Sequence, residues 1–246
     1  MSNFLLRLYW GIERIIVPSL RYSQYSYEEA LRELITPRTT WLDIGCGHQV
    51  LPEWRLDAER ELVGRASYVA GIDADSASLA KHRTIKNISA GDAKNLPFPD
   101  NRFTLITANM VVEHLADPRR AFAEIRRVLA PGGVFLFHTP NVNGYIISVN
   151  KYLSNRIKKL AAKVLEGRSS EDVYPTFYRC NSEEAIIETA VASGLEVKQI
   201  HYIPSTATFA RILPMAAVEL LWIRATMLQS LARYRTNILG QLYKLN

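Results

Sequence analysis

Apolar and polar positions recur with two periods along this chain, and each change of period marks an element. Phe4, Leu5, Leu8, Tyr9, Ile12, Ile15 and Ile16 fall at helical spacing with Arg7, Glu13 and Arg14 between them. That pattern predicts an amphipathic helix. Short apolar runs then follow at 41–44, 68–73, 87–92, 103–109 and 134–138. Each has strand length and is bounded by Gly, Pro, Asn or Asp. Asp117-Pro118-Arg119 opens a helix reaching Leu129, and Pro131-Gly132-Gly133 turns the chain into the fifth run. Strands that are apolar throughout, alternating with helical stretches, predict a mostly parallel sheet covered on both faces.

The second half departs from this rhythm. Residues 139–144 form a loop at the carboxyl end of the fifth strand, where ligands lie in such sheets. A helical insertion is expected over 145–175. Asn181 or Ser182 caps the next helix, with Glu183 and Glu184 in its first turn, and Gly194 ends it. Residues 195–203 alternate as a sixth strand. A second helical insertion is expected over 206–235, broken or bent at Pro214. Glu219 and Arg224 interrupt its apolar run, which argues against a membrane span. Residues 237–244 are expected to close the sheet as an antiparallel edge strand. The chain is therefore read as one domain: a helical cap over 1–38, a ligand-binding half over 39–144, then the two insertions.

The stretch Trp41-Leu-Asp-Ile-Gly-Cys-Gly-His-Gln49 carries the candidate chemistry. Gly45 and Gly47 allow a tight turn and a close approach of ligand to backbone. A Gly-x-Gly alone is a weak signal, and the third glycine of the dinucleotide fingerprint would fall at Val50. Asp43 discriminates further. It would repel a pyrophosphate and attract a ligand carrying an ammonium and a sulfonium. S-adenosylmethionine (SAM) has both. Asp73, ending the second strand, is placed to accept from ribose hydroxyls.

The succession of motifs resembles the class I SAM-dependent methyltransferases, particularly the small-molecule branch with ubiquinone-biosynthesis-like enzymes. The resemblance covers roughly 39–200 and rests on Leu42-Asp-Ile-Gly-Cys-Gly47, Gly71-Ile-Asp73, Gly91-Asp92-Ala93 with Leu96-Pro-Phe98, Glu113-His114-Leu115 and Val128-Leu-Ala-Pro-Gly-Gly133. It implies a Rossmann-like, doubly wound, seven-stranded sheet. It also implies that Asp43, Gly45 and Gly47 hold the methionine end of SAM, Asp73 the ribose, and Asp92 with Ala93 the adenine. Asn109 would stand near the methionine moiety or the transferred methyl. His114 and His138 become candidates for orienting or deprotonating the acceptor, and the free imidazole titrates near neutral pH. His48, Tyr174, Tyr178 and Arg179 are weaker candidates for ligand contact. Two departures stand out: Gln49 replaces a small residue, so the first helix is expected to pack less tightly on the ligand. Thr104 replaces an aspartate.

Composition narrows the classes. The chain has 246 residues, 48% of them hydrophobic, enough for one substantial α/β core. Cys46 and Cys180 make no disulfide framework, which favours a reducing, cytoplasmic setting. No signal-peptide pattern or metal-ligand spacing is present, so no metal is expected. Asn109-Met-Val-Val112 lacks the Pro-Pro-aromatic element that nucleic-acid amino-methylating relatives use on a flipped base, which argues against nucleic acid. The net charge of +6 is concentrated at 145–180 and in the C-terminal part. These segments are also apolar, so they suit either a solvated face or contact with the inner face of an anionic membrane. The expected activity is methyl transfer from SAM to a small apolar acceptor, at oxygen. The alternatives are a thiol or lipid-linked-saccharide methyltransferase at the membrane face, and a catalytically silent SAM-binding regulator.

Overall fold

Seven strands run through this chain: β1 (Thr40–Ile44), β2 (Tyr68–Asp73), β3 (Asn87–Ala90), β4 (Phe103–Asn109), β5 (Leu129–Pro140), β6 (Glu196–Ile203) and β7 (Asn237–Tyr243). They form one sheet in the order β3-β2-β1-β4-β5-β7-β6. The computed structural model describes residues 3–152, 175–210 and 212–245. β1 pairs in parallel with both β2 and β4, β2 with β3, and β4 with β5. The strand order therefore reverses direction between β1 and β4, and their carboxyl ends flank the crevice where ligands bind in open α/β sheets. The mostly parallel, doubly wound sheet expected from the apolar runs is what the chain forms.

The contacts divide the chain into two units. The sheet unit comprises Gln24–Pro140, Thr176–His201 and Ile238–Asn246; the helical unit comprises Met1–Ser23, Asn141–Pro175 and Tyr202–Asn237.

In the sheet unit, α2 (Ser23–Leu34, all but its first residue), α3 (Leu56–Arg65), α4 (Ser76–Leu79), α5 (Pro118–Val128) and α7 (Glu183–Ala192) connect or flank the strands. α5 shows why the sequence folds as read. Asp117 caps it by accepting from Arg120 N at 3.1 Å, and Pro118 occupies the first turn, where no N–H is needed. Ala121, Phe122, Ile125 and Val128 then fall on one buried face, with Phe122 edge-on to Phe135 at 5.3 Å. Ser182 caps α7 through Ala185 N, which frees Asn181 for a buried role.

In the helical unit, α1 (Asn3–Ile16) packs on α8 (Leu213–Thr226), with α6 (Tyr145–Tyr152) and a 3-10 turn at Gln229–Tyr234. Tyr9, Val17, Ala207, Ala216, Leu220 and Ile223 make its core. Pro214 does not bend a longer helix, as expected from sequence; it sits in the first turn of α8. The ring lacks a donor and its φ suits that position, so it starts the helix at no cost. The first insertion is helical at 145–152, and its remainder to residue 174 lies outside the described residues.

One strand expectation is corrected. β7 is not the edge of the sheet; it lies between β5 and β6. Bonds from Gly132 N to Lys244 O and from Asn141 N to Thr236 O show that it runs antiparallel to β5. Its residues 237–242 are all buried, whereas β6 is mostly exposed or half-buried along its length. Being last in sequence says nothing of being last in the sheet, and burial on both faces marks an interior strand. Gly240 is needed for that position: a Cβ there would lie 2.2 Å from Phe137 Cζ. Gly240→Ala should therefore overpack the sheet and cost about 1–3 kcal/mol, lowering the denaturant midpoint with an unchanged slope.

Candidate functional site

The crevice is built on a buried carboxylate at the end of β1. Asp43 is only 3% exposed, and no cation pairs with it among the described residues. Its partner is Thr107 of β4, whose hydroxyl donates to Asp43 Oδ1 while accepting from Trp41 Nε1 at 2.7 Å. Desolvation pushes the Asp43 carboxyl up to about 8, the Thr107 hydrogen bond opposes this, and the carboxylates of Glu59 and Asp73 push it further. A site with these properties favours a cationic ligand, because a positive group would stabilise the charged form that burial disfavours.

The glycine turn passes over this carboxylate. Gly45 N and Cys46 N both donate to Ile72 O, at 2.7 and 3.2 Å. Gly45 has a φ of +67°, and a Cβ on it would lie 2.3 Å from Val111 Cγ2. Gly47, with φ of +48°, donates its N–H to Asp73 Oδ2 at 2.8 Å, and Asp75 N donates to the other oxygen. No helix follows at once. Residues 48–55 form a loop and a short 3-10 turn before α3 begins at Leu56. Buried Glu59 holds the loop by accepting from Val50 N, Leu51 N and Thr84 Oγ1, and Arg83 hydrogen-bonds Gln49. Gln49 thus sits in a loop that has its own brace.

On the other side of the crevice, Asn109 and His138 sit opposite each other in the β4–β5 register. His138 Nδ1 is 2.8 Å from Asn109 Oδ1, and Asn109 Nδ2 donates to Gln24 Oε1 at 3.1 Å. Tyr27 of α2 stacks on the imidazole at 5.9 Å between centroids. With burial its only cause, the His138 pKa falls to about 4. Next along the chain, Met110 takes a φ of +59° and leads into the 3-10 turn Val112–His114. Glu113 is buried, its carboxyl pKa raised by desolvation, and it accepts from Thr139 Oγ1, which in turn accepts from Asn181 Nδ2. Its backbone carbonyl accepts from Phe177 N and Tyr178 N. His114 is half-exposed, with Nε2 4.0 Å from Glu113 Oε1.

Residues 42–137 match the methyltransferase domain family. Over 103 residues the chain is 35% identical to a probable SAM-dependent methyltransferase of Mycolicibacterium smegmatis, covering 41% of this chain and 37% of that one. It is 30% identical over 145 residues to a demethylmenaquinone methyltransferase of Corynebacterium urealyticum, covering 57% and 59%. A SAM-dependent methyltransferase from Mesorhizobium loti shares the fold at a TM-score of 0.55 and 18% identity, over 88% of this chain and 96% of that one.

Over residues 42–137 the chain carries a SAM-dependent methyltransferase domain.

It spans between about a third and three-fifths of the length of these curated relatives. The methyltransferase domain implies SAM binding, and residues 42–137 include most of the crevice just described. Asp43, Gly45, Gly47 and Asp73 converge there, the last two joined directly. Asp92 and Ala93 follow β3 in a turn of their own, closed by a bond from Lys94 N to Asp92 Oδ1. Asn109 and His138 are one hydrogen-bonded pair, whereas His114 belongs with Glu113. His48 is exposed, and its carbonyl accepts from Arg83 N. Arg179 donates to Ala116 O, Tyr178 has a φ of +51°, and Tyr174 lies outside the described residues.

Sequence reading missed Thr107, Trp41, Glu59, Gln24 and Tyr27. Thr107 left a faint signal, a hydroxyl flanked by the apolar Leu105, Ile106 and Ala108 of β4. Gln24 and Tyr27 left none, because only the fold brings α2 against β4 and β5.

The buried carboxylate has a consequence for stability. The folded pKa of Asp43, about 8, stands above an unfolded value of about 3.9. A raised pKa means that the fold prefers the protonated form; its contribution is complete below the unfolded pKa and is lost as pH rises toward 8. Asp43→Asn keeps an acceptor for Thr107 without the charge. Its stability should gain on wild type as pH rises from 4 to 8, by at most about 1.4 kcal/mol per pH unit. Parallel stability curves for the two proteins in ligand-free thermal melts would contradict this.

Proposed function

We propose that this protein transfers a methyl group from SAM to a small apolar acceptor, at oxygen. The observation carrying the reading is the unpaired, buried Asp43 beneath a turn whose glycines leave bare backbone. Asp43 would face the ammonium and sulfonium of SAM, Asp73 its ribose, and Asp92 with the Ala93 backbone its adenine. Bound SAM supplies an activated methyl, lost to the acceptor as the sulfonium becomes a neutral thioether. The chain's part is mostly to align donor and acceptor and to shed bulk water.

An oxygen acceptor must also lose a proton, and the two histidines suit different tasks. His138, buried with a pKa near 4 and bonded to Asn109, suits holding that side chain in place. His114, half-exposed beside Glu113, suits meeting the acceptor and taking its proton. Exposed Met110, next to Asn109, would add an apolar contact, and the relative named a demethylmenaquinone methyltransferase supports an apolar acceptor.

Calorimetry tests the donor side. The protein should bind SAM and not NAD, and Asp73→Ala should weaken SAM by roughly 1.5–3 kcal/mol. Unchanged affinity in that variant would remove Asp73 from the site. For the acceptor side, incubation with labelled SAM and a panel of phenols, thiols and saccharide lipids, read by mass, identifies the atom class. Once a substrate is in hand, His114→Ala should lower turnover by about 10²–10⁴-fold with SAM affinity intact. His138→Ala should instead disturb SAM affinity as well, through Asn109.

A further inference from the structure

We propose that the outward sides of α1 and α8 form a docking surface for an anionic lipid bilayer. The inference goes beyond the reaction and does not depend on which acceptor is methylated. It starts from α8, which is apolar nearly all round. One side, Ala216, Leu220 and Ile223, is buried in the core of the helical unit. The rest is not: Met215, Val218, Leu221 and Trp222 are 43%, 69%, 57% and 39% exposed. A helix apolar on every side ordinarily has every side covered.

α1 repeats the arrangement. Tyr9 and Ile12 face the shared core, while Phe4, Leu8 and Ile15 are 68%, 41% and 78% exposed. Their spacing of four and seven residues puts them on one stripe. Each helix of the packed pair thus carries a second apolar side open to solvent.

Charge decides the occupant. Both described carboxylates of the helical unit are turned to internal partners. Glu13 accepts from Tyr9 OH at 2.6 Å and from Tyr22 OH at 3.0 Å. Glu219 accepts from Tyr145 OH at 2.6 Å and from Thr208 N and Phe209 N at 2.8 Å. Arg7 and Arg14 of α1 and Arg224 of α8 are exposed. In sequence, the three segments of this unit hold thirteen Lys and Arg against five Asp and Glu; the remainder of the chain holds seventeen against nineteen. In sequence the whole positive excess therefore lies in the segments of this unit, to which α1 and α8 belong. Apolar area beside outward arginines is the combination that holds an interfacial helix on anionic headgroups. A second copy of the same basic surface would be repelled instead.

The mode is peripheral. No helix among the described residues is long and apolar enough to cross a membrane. The 14 residues of α8 reach about 21 Å, short of the roughly 30 Å hydrocarbon core.

Co-sedimentation of the full chain with vesicles tests the proposal. Binding to phosphatidylglycerol-containing vesicles should exceed binding to pure phosphatidylcholine about tenfold or more at low salt, and fall toward the neutral level at about 0.5 M salt. Val218→Asp with Leu221→Asp on α8, and Phe4→Asp on α1, should each weaken binding about tenfold. Val191→Asp, at a 69% exposed position on α7 in the sheet unit, should leave it unchanged. Thermal melts with SAM confirm that each variant is folded, and a misfolded variant is replaced by the corresponding serine. Absent binding, equal binding to both vesicle types, or folded α1 and α8 variants that bind like wild type would overturn the proposal. So would self-association in sedimentation velocity, abolished by the same variants, without vesicle binding.

Discussion

The crevice depends on keeping one carboxylate, Asp43, out of water with no cation beside it among the described residues. Trp41 donates to Thr107, and Thr107 donates to Asp43, so two residues deep in the sheet orient the group. That arrangement opposes only part of the desolvation, as the upward shift to about 8 shows. Burying a charge without full compensation costs stability. The cost makes sense where a ligand carries the missing positive charge, because the same desolvation strengthens attraction to that ligand.

The surrounding elements serve that geometry. Gly45 and Gly47 adopt left-handed backbone so that the chain can turn back over Asp43, and Asp73 ties Gly47 to the end of β2. A loop this irregular, without a helix directly after it, needs its own support. Glu59 supplies it from within α3, taking two backbone N–H groups and the Thr84 hydroxyl. Opposite, Gln24, Asn109 and His138 hydrogen-bond from three elements, α2, β4 and β5. The side chains facing the crevice are thus preorganised by residues that need not touch a ligand themselves.

The helical unit follows a different logic. Among the described residues its acidic side chains, Glu13 and Glu219, are turned inward and bonded to phenols and backbone. Its apolar residues exceed what the α1–α8 contact can cover. Internal cohesion there combines an apolar core with these polar bonds, and further apolar and basic side chains remain on the outside.

Local pattern was enough for much of this. Apolar runs of strand length, caps such as Asp117, and the Gly-x-Gly turn each follow from nearest-neighbour physics, so β1 to β5, α5 and the glycine turn were legible from residues alone. The placement of Asp43 near the end of β1 and of Asp73 at the end of β2 was legible for the same reason. What the sequence could not decide is who meets whom across long separations. The place of β7 inside the sheet, the start of α8 at Pro214, Thr107 under Asp43 and α2 against His138 all depend on contacts between residues distant in the chain. His138 illustrates the difference: its position at the end of a strand marked it as a candidate base, while burial against Tyr27 and Asn109 lowered its pKa. Burial is a property of the packed fold, so only the tertiary structure could separate it from His114.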